Sequence, residues 1–236
     1  MKLLLFLLLL GHAAIGQTPV ALQSTPNTAG LKLPAGFKAA ITMPELGRNR
    51  HIAVNTNGDI YVKLDRVKNT KGIMVLREDA SGRAQIIDSF GTYSGTGIVI
   101  KNGYLYASSD REVFRYELDE NNKVINRDAP ERIITGLLAG RQHQTKSIAL
   151  DNAGNIYVNI GVPSNSCQEI DRGPGSKGID PCPFLDSAAA IWQFKADRPD
   201  QSYPEGVRYA MGIRNVVGLD CNNENPDDIL GVSKTN

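Results

Sequence analysis

Three times this sequence writes the same unit: an apolar triplet, a short polar turn carrying Gly or Asn, and a second apolar group containing tyrosine. The first copy is Ile52-Ala53-Val54, a turn at 55–59, and Ile60-Tyr61-Val62. The second is Ile98-Val99-Ile100, the turn Lys101-Asn102-Gly103, and Tyr104-Leu105-Tyr106. The third is Ile148-Ala149-Leu150, a turn at 151–155, and Ile156-Tyr157-Val158. β-Branched and aromatic residues around Asn-Gly-type turns predict β-hairpins. The copies start 46 and then 50 residues apart, and further strand-like segments follow each: 72–77 and 84–87, 112–116 and 131–134, and 190–194. Antiparallel four-stranded units recurring at about 40–50 residues mark an all-β chain of the β-propeller class. A β-sandwich also has many short strands, but not a turn and an aromatic at fixed offset.

A fourth copy begins at Val217-Gly218-Leu219, 70 residues after Ile148, and the extra length is an insertion at about 162–188. Beyond Asp220 the pattern lapses: Ile229-Leu230-Gly231-Val232 is apolar but brings no aromatic partner. The expectation is therefore about three blades and the start of a fourth. Blades bury their faces against neighbours, so such a set needs further blades or another partner at its open edges.

The first 16 residues read differently. Met1-Lys2, an unbroken apolar run from Leu3 to Leu10, and small residues at Ala14 and Gly16 predict a secretory signal peptide cut before Gln17. The run is too short to span a bilayer, which takes about 20 residues. Residues 17–36 form a polar, Pro-containing lead-in, and 37–236 the propeller domain. The expected location is periplasmic or secreted. In an oxidising compartment Cys167 and Cys182, 15 positions apart within the Gly-, Pro- and Asp-rich insertion, are expected to pair, and Cys221 is left over. Metal binding by that pair is the weaker reading, since neither a CxxC nor a nearby His completes a site. A net charge of +1, with no block of like charge, argues against nucleic acid or an acidic membrane surface as partner.

Equivalent loops of successive units lie at equivalent places around a propeller axis. Aligning the residues that precede each first strand gives 47–51, 93–97, 143–147 and 213–217, with Arg-Asn in the same register at 48–49 and 214–215. These loops should ring a central funnel with Arg48, Asn49, Arg50, His143, Gln144, Lys146, Arg214 and Asn215. A cationic funnel holding a histidine suits an anionic, planar ligand with acid/base chemistry beside it. His51 abuts a strand and His12 lies in the signal peptide, so His143 is the best-placed base. The bland reading of the arginines as solvated loop residues stands beside this one. No G-x-S-x-G marks a nucleophilic serine, and the aligned loops carry no Asp or Glu, which disfavours a metal-dependent lactonase-type hydrolase.

The stretches 140–151 (GRQHQTKSIALD) and 212–219 (GIRNVVGL) resemble the soluble pyrroloquinoline quinone (PQQ)-dependent sugar dehydrogenases. Arg50-His51-Ile52-Ala53-Val54 and Asp180-Pro181-Cys182-Pro183 bring the chain closer to the sorbosone and pyranose dehydrogenase branch. The resemblance covers about residues 31–220. It implies a six-bladed propeller with PQQ on its axial face and a sugar as small-molecule substrate. It implies His143 as general base, Arg214 as both a catalytic group on the quinone oxygens and a cofactor ligand, and Asn215 as a PQQ hydrogen-bond partner. Gln144 lines the same pocket by adjacency, and Arg50 joins the cofactor-binding set. The family's calcium, held by backbone carbonyls, is expected beyond the end of this chain. A separate electron acceptor such as a cytochrome completes the cycle. The competing function is a propeller that binds ligands or proteins without redox chemistry.

Overall fold

A computed structural model describes residues 39–222 and 229–233, together with 31, 33, 34 and 37. The expected signal peptide and most of the lead-in lie outside the described residues. All the strands belong to one compact unit, Thr42–Asn236.

Each predicted hairpin forms. In the first sheet β1 (Asn49–Val54) pairs with β2 (Ile60–Lys68), followed by β3 (Lys71–Glu78) and β4 (Ala84–Phe90), all antiparallel in chain order. The second sheet runs β5 (Ile98–Lys101), β6 (Tyr104–Ser108), β7 (Val113–Glu117) and β8 (Glu131–Thr135). Asn102 and Gly103 join β5 to β6 with φ of 50° and 78°. A two-residue turn with both φ values positive matches the twist of its strands, which is why Asn-Gly stands there. The third sheet contains β9 (Ile148–Leu150), β10 (Asn155–Ile160) and β11 (Ala190–Lys195). The fold is all-β and of the β-propeller class: β1, β5 and β9 are the innermost strands of successive sheets, each packed against the next.

Apolar residues on both faces of the central strands glue the sheets together. Tyr61, Ile73, Val75 and Phe90 of the first sheet pack on Ile98, Leu105, Ala107 and Tyr116 of the second. Val113, Ile133 and Ile134 pack on Ile148, Ile156, Val158 and Phe194 of the third. All six residues of β10 are buried, so this strand shows no alternation of apolar and polar residues.

Three features depart from the sequence expectation. A two-residue strand, β12 (Gln201–Ser202), returns from the third sheet and adds parallel to β8, so the second sheet has five strands. The buried Gln201 side chain secures it: Oε1 accepts from the Lys195 amide, and Nε2 donates to the carbonyls of Lys195 and Arg198. The third sheet is closed by β13 (Val207–Met211), an edge strand outside the predicted units whose alternating Val207, Tyr209 and Met211 are exposed. The pattern after Asp220 does not fail outright: β14 (Val216–Cys221) pairs antiparallel with β15 (Ile229–Ser233). Here Val216 and Cys221 pack on Ala149, Tyr157 and Ile191, so the aromatic of this cluster is Tyr157 of the preceding sheet.

Cys167 and Cys182 form the expected disulfide, with their Cα atoms 6.0 Å apart. Cys221 is free and buried, and burial pushes its thiol up to about 11. Among the described residues no helix is long and apolar enough to cross a membrane.

Candidate functional site

The loops that lead into β1, β9 and β14 meet at one end of the innermost strands. Between them lies a cleft of about 380 Å³ lined by Arg48, Arg50, His143, Gln144, Arg214 and Asn215, six of the eight residues of the predicted ring. Two others do not line it. Asn49 is exposed, its side-chain Nδ2 donating to the Gly47 carbonyl. Lys146 is wholly buried, because its Nζ turns inward to the Gln144 carbonyl and faces Asp110. Burial brings its ammonium down to about 8, with Asp110 opposing.

Residues not anticipated from sequence complete the walls: Asp65, Arg141, Thr145, Val217 and, from the insertion, Arg172. Five arginines thus face one carboxylate, and that carboxylate is paired with Arg48 at 2.9 Å. Arg50 donates to Thr145 Oγ1 at 3.1 Å. The excess positive charge suits a polyanion, since guanidinium groups bind carboxylates bidentately.

His143 sits in the left-handed region at φ 51°, a conformation that aims its ring at the strand end after β10. Its Nδ1 lies 2.7 Å from the Val162 carbonyl. A carbonyl only accepts, so Nδ1 carries the hydrogen and the lone pair of the neutral ring resides on Nε2. Burial lowers the imidazole below its ordinary value; the Val162 carbonyl opposes this, and the charges of Arg214 and Arg172 add to it. The ring is therefore neutral near pH 7 and able to accept a proton.

Gly161 makes this placement possible. A Cβ there would lie 2.4 Å from the His143 Cβ and 2.9 Å from Asn215 Oδ1. Asn215 is buried and its Oδ1 accepts from Asn159 Nδ2 at 2.8 Å, while Asn159 Oδ1 accepts from the Val216 amide. The Val162 amide donates to the Arg214 carbonyl at 2.9 Å. The end of β10 thus holds the base loop and the Arg-Asn loop in one register. Neither Gly161 nor Asn159 announces itself in sequence, because their role depends on contacts between loops about 20 and 55 residues away.

Arg214 is held from the other side. Its Nε donates to the Asn165 carbonyl at 2.7 Å and its Nη2 to Asn165 Oδ1 at 2.6 Å. Asn165 opens the disulfide-closed insertion, which has no counterpart in the other repeats and so could not be aligned.

His51 is a strut of the inner ring. Nδ1 lies 2.7 Å from the Thr96 carbonyl and Nε2 2.7 Å from the Val217 carbonyl, so the ring bridges the entries to β5 and β14. Among the described residues no three or more His, Cys, Asp or Glu side chains cluster as metal ligands. Since Asp65 is engaged by Arg48, the cleft does not fit a calcium ion held by side-chain carboxylates, and none of the chemistry proposed for it passes through one.

The sequence matches the TrAA12-like family over residues 31–234, and the chain belongs to that family. None of the curated proteins compared matches it. Among solved structures, the holo form of the pyranose dehydrogenase PQQ domain from Coprinopsis cinerea superposes with a TM-score of 0.62 at 20% identity, over 80% of this chain and 44% of that one. The iodide structure of the Trichoderma reesei carbohydrate-active enzyme of family AA12 gives 0.55 at 18% identity, over 75% and 43%. The PQQ-bound aldose sugar dehydrogenase from Streptomyces coelicolor gives 0.50 at 19% identity, over 79% and 56%. The chain thus spans about half the length of the structures it resembles. At these identities the likeness establishes the fold.

Proposed function

We propose that this chain supplies the base-bearing face of a PQQ-dependent dehydrogenase that oxidises an aldose or related sugar. The observation that carries this reading is His143: a neutral imidazole, fixed as the Nδ1–H tautomer by Val162, beside five arginines. The donor set fits PQQ, a planar tricarboxylate, because the cleft offers cations in excess over one engaged carboxylate. Bound there, PQQ would supply the two-electron oxidising capacity, as a hydride acceptor, that sugar oxidation needs.

The chain's own part is proton handling and orientation. His143 Nε2 takes the hydroxyl proton of the sugar as that carbon becomes a carbonyl, so of the two hydrogens lost the one on oxygen leaves as a proton and the one on carbon as hydride. A positioned base of this kind contributes about 10²–10⁴-fold. Arg214 stabilises the negative charge that develops on the acceptor, and Arg50 and Gln144 line the approach. Asn215, engaged by Asn159, holds the Arg214 backbone in register. A separate electron acceptor such as a cytochrome restores the oxidised state. Export to the periplasm or the medium agrees with the Cys167–Cys182 bridge, since disulfides persist in oxidising compartments.

Titration of the chain with PQQ, followed by quenching of intrinsic fluorescence, tests the reading. Binding should be weakened by Arg214→Ala and left within about twofold by His143→Gln. Binding indifferent to Arg214→Ala would overturn it.

A further inference from the structure

We propose that Asn165, at the mouth of the disulfide-closed insertion, is a positioning residue that holds the Arg214 guanidinium in the cleft. This deepens the proposed function and rests on it for the identity of the ligand.

Arg214 lies between two spaces. On one side is the cleft. On the other is a smaller cavity of about 220 Å³, lined by Val162, Cys167, Cys182, Leu185 and Ala189. Close packing normally fixes a side chain from all sides. Arg214 has room behind it, so packing alone does not decide which way the guanidinium points. The two bonds to Asn165, from Nε to the carbonyl and from Nη2 to Oδ1, grip one edge of the planar group and set its orientation.

The clamp is itself anchored. The Asn165 amide donates to Asp171 Oδ1 at 2.6 Å, and Asp171 Oδ2 accepts from Gln142, the residue before His143. Arg172 Nη2 donates to Gln142 Oε1 at 2.6 Å. One polar chain therefore runs from Arg214 through Asn165 and Asp171 to the loop carrying the base. The insertion thereby couples the orientation of the cationic group to the placement of the histidine, and adds Arg172 to the same wall.

The test uses the full chain and two readouts. In the ligand-free protein, the Arg214 Nη2–H resonance in ¹⁵N–¹H spectra should shift, and exchange faster with solvent, in Asn165→Ala, which removes its acceptor Oδ1 and keeps the backbone carbonyl. An unchanged resonance and exchange rate would overturn the proposal whether or not PQQ binds. In PQQ titrations, Asn165→Ala should weaken binding about tenfold, the size expected for a lost charge-assisted hydrogen bond, with the melting temperature within about 2 °C of the parent. In the Arg214→Ala background the same substitution should have no further effect, because a residue that acts through Arg214 has nothing left to position. A tenfold loss that persists in that background would mean Asn165 acts structurally and would refute the proposal. A parent chain that binds no PQQ would count against the functional reading alone, and the resonance would then decide the positioning role.

Discussion

Replacing Gly161 by alanine places one methyl group where the structure has no room. The new Cβ would stand 2.4 Å from the His143 Cβ and 2.8 Å from the His143 carbonyl oxygen, about 1 Å short of van der Waals contact in the first case. Neither atom is the far end of a flexible side chain. The His143 backbone must therefore retreat, and the 2.7 Å bond from Nδ1 to Val162 is the contact most exposed to that movement. Overpacking costs about 1–3 kcal/mol, the lost hydrogen bond about 1, and removing a glycine from the unfolded chain returns about 0.4–1. The net loss should be about 1–3 kcal/mol, or about 2–4 °C in melting temperature per kcal/mol for a chain of this size. Urea and thermal unfolding measure it. The ¹⁵N shifts of the His143 ring report whether the Nδ1–H tautomer survives, and in the active enzyme a 1 Å displacement of the base should cost about 10²-fold in turnover. Gly178→Ala is the control, because a Cβ there meets nothing within 4 Å. If Gly161→Ala matches Gly178→Ala in stability and leaves the His143 ring shifts unchanged, the argument for a forced approach at the end of β10 is wrong.

Lys63 is wholly buried, its Nζ donates to the carbonyls of Tyr93 and Gly72, and burial brings it down to about 7. The unfolded chain, with a lysine near 10.4, binds more protons between about pH 7 and 10, so stability rises with pH across that window by up to about 1.4 kcal/mol per unit. Lys63→Met should remove one proton's worth of that slope in urea unfolding at pH 7, 8 and 9, and equal slopes would refute it. His51→Phe removes the ring nitrogens that approach the Thr96 and Val217 carbonyls and should cost about 1–3 kcal/mol, measured by the same unfolding assay; no loss would show that the strut is absent. Opening the bridge in Cys167→Ser/Cys182→Ser should cost about 3 kcal/mol for a loop of this length, and free thiols at both positions in the unreduced parent would contradict its existence.

The parts of this molecule legible in sequence are those with local causes. Asn102-Gly103 specifies its turn through backbone conformation alone, and Ile60-Tyr61-Val62 forms a central strand whatever surrounds it. Because the units repeat, aligning their loops was enough to bring Arg50, His143, Gln144 and Arg214 into one cleft. What stayed hidden depends on long-range contacts. β12 pairs only two residues, and its stability comes from the Gln201 side chain meeting carbonyls across the fold. Lys146 reads as one of the cations ringing the funnel, yet its side chain is buried and faces Asp110. Asn165 and Arg172 lie in an insertion with no repeat partner, so the register that exposed the other site residues passes over them.

Under the proposed function, His143 is the base of an arginine-lined cofactor cleft. Sugar oxidation by the PQQ-reconstituted enzyme, measured from pH 5 to 8 in the parent and in His143→Gln, tests it most directly. Burial and the neighbouring arginines hold His143 below its ordinary value, so its basic form persists at neutral pH and is lost only on acidification. The parent's turnover should therefore fall through a midpoint below about 6.5. His143→Gln should lose about 10²–10⁴-fold in turnover, together with that acid limb, at unchanged PQQ affinity. A His143→Gln enzyme that retains most of its turnover with the acid limb intact would contradict the account.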